Sequence, residues 1–175
     1  MSDYYTHREY LKSELDRLPQ DKSCVILELG IGEGSSYLIN QHCIKNKNHK
    51  AMAFETDESW HNQIRSKYEL ENYIFTKIED WLNFNVIFSN PTYYDLVFVD
   101  QSPWEARIDS INFLKQFTKT FILHDYDYFN KSESCNNIYI NDETSWLNKA
   151  YSSDFFLEDN YTILPPTLIM RSRTK

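Results

Sequence analysis

All three glycines of this chain fall in one short stretch, Gly30-Ile31-Gly32-Glu33-Gly34, and turns elsewhere rely on Asn, Asp, Ser and Pro. Glycine is needed where the backbone takes positive φ or where another group must approach it closely. The cluster follows the apolar run Cys24-Val25-Ile26-Leu27-Glu28-Leu29 and opens a stretch, 34–44, that reads as a helix with Tyr37, Leu38 and Ile44 inward. A buried strand, a glycine loop and a helix in that order suit a ligand seated beyond the carboxyl end of the strand. The plainer reading is a tight turn without a ligand, although such turns seldom need alternating glycines.

The rest of the chain repeats the strand–helix alternation. Residues 3–18 carry Tyr4, Tyr10, Leu11, Leu15 and Leu18 at helical spacing, and Pro19 ends that run. Strands are predicted at Ala51–Glu55, Tyr73–Thr76, Asp95–Asp100 and Thr120–Leu123. Helices are predicted over 58–68 and over 104–117, the latter with Ile108, Ile111, Phe113, Leu114 and Phe117 facing a core. A short helix is expected from Asp80 to Phe88, a polar loop over 126–142 and a helix over 143–151. Two β runs, Asp154–Glu158 and Thr167–Arg171, close the chain around Pro165-Pro166. Alternation of this kind predicts an α/β fold with a seven-stranded, mostly parallel sheet and one antiparallel strand near the C-terminus. One domain over 1–175 is expected, with an N-terminal helix in 1–20 and a core over 22–171.

Composition narrows the functions. A net charge of -8 and the lack of any Lys/Arg-rich run argue against general nucleic-acid binding. Cys24, Cys43 and Cys135 form no Cys-x-x-Cys pair, so neither a disulfide framework nor a zinc site is expected. The polar start Met1-Ser2-Asp3-Tyr4-Tyr5-Thr6-His7-Arg8 lacks the apolar core of a signal peptide, and no apolar run is long enough to span a bilayer. A cytoplasmic location without membrane association is expected. Nothing bears on oligomeric state.

Several chemistry-bearing residues follow predicted strands and so share one sheet edge. Glu55 ends the second strand, where a carboxylate can accept hydrogen bonds from ribose hydroxyls. Asp100 ends the fourth strand and His124-Asp125 the fifth. A histidine beside carboxylates can act as a general base, while Asp100 and Asp125 can hold a divalent metal. Arg107, early in the next helix, suits either a structural ion pair or an anionic substrate. Tyr126, with Tyr128, Phe129 and Tyr139, can line an acceptor pocket.

The segment Glu28-Leu29-Gly30-Ile31-Gly32-Glu33-Gly34 resembles motif I of the class I S-adenosylmethionine-dependent methyltransferases, E/D-x-G-x-G-x-G. A dinucleotide fold prefers G-x-G-x-x-G, and Ser35 stands where its third glycine would fall. The resemblance covers roughly residues 22–171. Asp100-Gln101-Ser102-Pro103-Trp104-Glu105-Ala106-Arg107 and the later His124-Asp125 resemble a methyltransferase-like group with D-x-S-P-x-E-x-R and H-D segments. They are also similar to O-methyltransferases with V-D-G-x-H and H-D-Y, which often hold a divalent metal. Pro103 stands where that His would be.

The resemblance implies a Rossmann-like methyltransferase fold with S-adenosylmethionine against Glu28, Gly30, Ile31, Gly32, Gly34, Ser35, Glu55 and Asp100. Glu28 would lie near the methionine amino group, and Glu79-Asp80-Trp81 would face adenine. A helix N-cap at Asp80 and a core Trp81 are the plainer alternative. The implied reaction is methyl transfer to a small-molecule or sugar-like acceptor, at oxygen, with His124, Asp100 and Asp125 as catalytic candidates and Arg107 and Tyr126 toward the substrate. An NAD(P)-dependent oxidoreductase and a non-catalytic methyltransferase-like binding protein remain as alternatives.

Overall fold

The protein is described here by a computed structural model covering residues 5–81, 93–126, 150–160 and 164–175. Its elements are α1 (Arg8–Arg17), β1 (Val25–Leu29), α2 (Ser35–Lys45), β2 (Lys50–Glu55), α3 (Glu58–Tyr68), β3 (Tyr73–Lys77) and β4 (Tyr94–Val99). They continue with α4 (Glu105–Leu114), a 3-10 turn (Lys115–Phe117), β5 (Thr118–His124), β6 (Phe155–Asn160) and β7 (Thr167–Ser172). The strands form one seven-stranded sheet in the order β3-β2-β1-β4-β5-β7-β6. Strand β7 runs antiparallel to both β5 and β6, and β1 to β5 pair in parallel.

Both faces of the sheet are covered, which is why the central strands read as continuous apolar runs. Leu27, Leu29, Val97, Val99, Phe121 and Leu123 face Ile111 and Leu114 of α4. Ile26, Ala51, Ala53, Leu96, Phe98 and Ile122 face Leu11 and Leu15 of α1, Ile39 and Cys43 of α2, and Ile64 of α3. The register then sets the site. Leu29 pairs with Phe54 and with Val99, and Val99 pairs with Leu123. Gly30, Glu55, Asp100 and His124 therefore stand together at the carboxyl edge of four adjacent strands.

One helix, α2, buries a face other than that expected. In α2 the buried positions are Ser35, Ser36, Ile39, Asn40, His42 and Cys43, while Tyr37 and Ile44 are exposed. The face turned inward carries polar groups that find partners, Ser36 at Glu28 of β1 and Asn40 at the Tyr68 carbonyl of α3, so hydrophobicity alone misplaced it. In α4 the expected residues do face the core, Ile111 and Leu114 buried and Ile108, Phe113 and Phe117 packed half-buried against the same cluster, and Ala106, Arg107 and Ser110 are buried with them. Helix α1 starts at Arg8, after a turn over Tyr5–His7. Most of 80–88, 126–142 and 143–151 lies outside the described residues, as do Tyr128, Phe129, Cys135 and Tyr139; Ala150 and Tyr151 are helical. Cys24 and Cys43 are buried free thiols. Among the described residues no helix is long and apolar enough to cross a membrane.

Candidate functional site

Each glycine of the loop has its own local setting. Gly30 has φ +80°, and a Cβ there would lie 2.5 Å from the Asp100 carbonyl oxygen and 2.7 Å from Gln101 Cα. A Cβ on Gly34 would lie 2.6 Å from Tyr5 Cδ1 and 3.0 Å from His7 Nε2. Gly32 differs: among the described residues its Cβ would meet only Ser35 Oγ, at an ordinary 3.7 Å. Packing within the chain thus accounts for Gly30 and Gly34, and it places no demand on Gly32.

Glu28 lies beneath this loop with no exposed surface. Ser36 Oγ accepts from the Gly32 N–H at 3.2 Å and donates to the Glu28 carboxylate at 2.9 and 3.1 Å; the Tyr73 hydroxyl donates to the same carboxylate. Ser35, also buried, adds a side-chain hydrogen bond. Glu28 therefore holds the loop from below through Ser36. A direct contact with a methionine amino group would require the side chain to leave this set of bonds. Burial pushes its carboxyl up to about 7 against the hydrogen bonds from Ser35, Tyr73 and Ser36.

That shift has a stability consequence. A carboxyl whose folded value exceeds its unfolded value binds more protons in the native state, so stability falls as pH rises between about 4.5 and about 7. Glu28→Gln removes this dependence. The stability of Glu28→Gln relative to wild type is expected to grow by on the order of 3 kcal/mol across that window and to level off above it. Urea denaturation of both proteins at a series of pH values measures it, and parallel curves would refute it.

Glu55 is half-buried beside the loop. Its Oε1 accepts from the backbone N–H of Thr56 at 2.7 Å and of Asp57 at 2.9 Å, and its Oε2 accepts from the Ile31 N–H at 3.3 Å. Trp60 of α3 donates its indole N–H to the Ile31 carbonyl at 2.7 Å, which pins the loop from the other side. Of the three residues expected at adenine, Glu79 is exposed and paired with Lys77 at 2.5 Å, and Asp80 is exposed. Trp81 corrects the expectation. It is 3% exposed, belongs to the core cluster and donates its indole N–H to the Ser102 carbonyl at 2.9 Å, as its apolar ring favours.

At the ends of β4 and β5, Asp100 bridges two cations or potential cations. Its Oδ1 lies 3.1 Å from Arg107 Nη2 and its Oδ2 lies 3.2 Å from His124 Nδ1. Arg107 is buried and donates from Nε to the Gln101 carbonyl at 2.7 Å and from Nη1 to the His124 carbonyl at 2.5 Å and the Asp125 carbonyl at 3.3 Å. It fastens the two strand ends to each other, which corrects its placement toward an anionic substrate: its donors are turned into the protein. Tyr126 is likewise corrected, being fully buried within the apolar cluster rather than lining an open pocket. Asp125 takes the left-handed conformation, φ 56°, and donates its N–H to the Pro166 carbonyl at 2.7 Å. A divalent cation on Asp100 would face the Arg107 guanidinium, so the donor set fits a metal poorly. Among the described residues no cluster of three or more His, Cys, Asp or Glu has metal-holding geometry.

Pattern reading missed Thr6, His7, Ser36, Trp60, Tyr73 and Gln101. Thr6 Oγ1 lies 3.2 Å from His124 Nε2 and donates to the Pro165 carbonyl at 2.6 Å. The His7 ring meets that of His124 edge-on, with centroids 4.5 Å apart. Gln101 is fully buried and accepts from Ser110 Oγ at 2.8 Å. None of these has a local signature; only Ser36, next to the motif, was within reach of sequence.

No protein-family model matches the sequence, and no match was found among curated proteins. Solved structures do resemble it. Human methyltransferase-like protein 13 in complex with S-adenosylhomocysteine superposes with a TM-score of 0.65 at 14% identity, over 100% of this chain and 84% of that one. A candidate O-methyltransferase from Klebsiella pneumoniae gives 0.65 at 9% identity, over 94% and 80%. An rRNA methylase from Streptococcus thermophilus gives 0.56 at 11% identity, over 92% and 93%. The fold is the Rossmann-like fold of class I methyltransferases. Six strands run in one direction, and β7 is the single antiparallel strand.

Proposed function

We propose that this chain is an S-adenosylmethionine-dependent methyltransferase that works at oxygen on a small-molecule or sugar-like acceptor, as one domain over 1–175. Gly32 carries the reading. It is the one glycine of the loop that packing among the described residues does not explain, and it sits at the carboxyl edge next to Ile31, whose N–H meets Glu55, where a ligand pressing on the backbone would explain it. Glu55 would accept the ribose hydroxyls. Gly30, Ile31, Gly34 and Ser35 shape the loop, Glu28 holds it, Asp100 borders it, and Asp80 would take the adenine amine. When bound, the cofactor supplies an electrophilic methyl group for a single displacement. His124 would take the acceptor proton, oriented through Nδ1 by Asp100, with Asp125 beside it. The net charge of -8 favours a small acceptor over a polyanion.

Calorimetry with S-adenosylhomocysteine and with NAD tests the reading. S-adenosylhomocysteine is expected to bind and NAD not. Glu55→Ala is expected to weaken binding by about 1–3 kcal/mol through lost charge-assisted hydrogen bonds. Gly32→Ala should weaken it without lowering thermal stability. Binding of NAD alone would turn the reading toward an oxidoreductase, and unchanged affinity in Glu55→Ala would remove Glu55 from the site. Cofactor binding without turnover on any acceptor would favour the non-catalytic alternative.

A further inference from the structure

The N-terminal turn crosses the carboxyl edge of the sheet and covers the residue on which acceptor chemistry would depend. His124 is 5% exposed. Its Nδ1 faces Asp100, and its Nε2 faces Thr6 Oγ1 at 3.2 Å. The proton roles follow from the third contact. Thr6 Oγ1 lies 2.6 Å from the Pro165 carbonyl oxygen, and only the threonine hydroxyl has a proton to place between those two oxygens. A lone pair of Thr6 then points at Nε2, so Nε2 is the donor. A ring nitrogen that carries a proton has no lone pair to offer an acceptor hydroxyl.

Two further contacts show that this covering is built into the chain. The His7 ring lies between Phe98 and His124, at centroid distances of 5.0 and 4.5 Å. Tyr5 and His7 rest directly on Gly34, whose missing side chain makes room for them. Gly34 has an ordinary backbone conformation, φ -78°, so its lack of a Cβ serves this contact rather than a strained turn.

We propose that Tyr5–His7 form a strap that closes His124 in the resting protein, with Thr6 as its latch on Nε2 and Gly34 as its seat. An acceptor must displace the strap. With Thr6 withdrawn, the Nε2 proton passes to solvent, a proton on Nδ1 beside the Asp100 carboxylate completes the neutral ring, and Nε2 presents its lone pair. The strap rests on the methyltransferase reading only in that His124 is the proposed base; its closure of the ring is testable without that reading.

Thr6→Val in the full chain is the first test. It leaves His124 Nε2 and the Pro165 carbonyl without their partner, which favours a state in which the strap lifts and water reaches both. Acylation of His124 by diethylpyrocarbonate, followed by peptide mass spectrometry, is expected to speed up by about tenfold or more. The His124 Nε2 NMR signal is expected to change from protonated to unprotonated type. Thr6→Ser keeps both hydrogen bonds and should behave as wild type. Gly34→Ala reaches the strap from the other side, since its new Cβ would evict Tyr5 and His7 and lift Thr6 with them although the threonine hydroxyl is kept, and it should show the same acceleration. Should Thr6→Val fail to fold, Gly34→Ala decides alone. Acceleration with Thr6→Ser unchanged supports the strap even where S-adenosylhomocysteine does not bind, a result that overturns the cofactor reading alone. Equal His124 reactivity in wild type and in the folded variants overturns the strap, even with S-adenosylhomocysteine bound.

Discussion

Gly30→Ala is expected to lower the stability of this protein by about 2–5 kcal/mol, measured by urea denaturation. Two independent penalties combine. An L-residue at φ +80° takes a left-handed conformation that costs about 1–2 kcal/mol. The new Cβ would also sit 2.5 Å from the Asp100 carbonyl oxygen and 2.6 Å from its carbon. Those atoms are backbone at the end of β4, held to β1 by the Asp100 N–H donating to the Leu29 carbonyl at 2.8 Å, so they cannot move aside as a flexible side chain would. Overpacking of this kind costs about 1–3 kcal/mol. A loss below about 1 kcal/mol would mean that the loop is not clamped between β1 and β4. Gly32→Ala is the internal control, because its Cβ meets no closer atom than Ser35 Oγ at 3.7 Å.

Arg107→Met is expected to cost about 3–5 kcal/mol, because it strips a buried cation from an ion pair and from three backbone carbonyls at once. Methionine fills much of the space but donates nothing. It would leave Asp100 beside His124 without its main neutralising partner, and the carbonyls of Gln101, His124 and Asp125 without a donor that all three now share. Hydrogen exchange should rise at the ends of β4 and β5, while β2 and β3, which Arg107 does not touch, should keep their protection. Arg107→Lys keeps the charge but not the planar fork, and should recover only part of the loss. A stability change within about 0.5 kcal/mol, with unchanged exchange at Gln101 and Asp125, would refute the fastening role.

The strands were legible because each carries its own local signal. Val25–Leu29 and Tyr94–Val99 carry apolar residues on both faces, with Glu28 and Asp95 the exceptions, as suits central parallel strands, and Pro19 and the glycine cluster mark where the chain turns. The carboxyl-edge grouping of Gly30, Glu55, Asp100 and His124 followed from strand order alone, since every parallel strand delivers its last residue to the same edge. Side-chain fate was less legible. Tyr37 and Ile44 looked like core residues by type and are exposed, whereas Arg107 and Glu28 are charged by type and buried. Their burial depends on partners that the one-dimensional pattern does not display, namely Asp100 and the carbonyls of Gln101, His124 and Asp125 for Arg107, and Ser36 and Tyr73 for Glu28.

Hydrophobic periodicity, turn chemistry and the concentration of glycine in a single loop were enough to specify a doubly covered, mostly parallel sheet with its chemistry-bearing residues at the carboxyl edge. Only the tertiary structure decided what each glycine is for. Gly30 admits the backbone of Asp100, Gly34 admits Tyr5 and His7, and Gly32 meets nothing closer than Ser35 Oγ at 3.7 Å among the described residues. The same holds for His124, which the sequence placed at a strand end and the structure placed under Thr6. Period and propensity are properties of neighbouring residues, and they survive in the written order of the chain. Close approach, burial and proton roles are properties of pairs far apart in that order, and they exist only once the chain has folded and brought those pairs together.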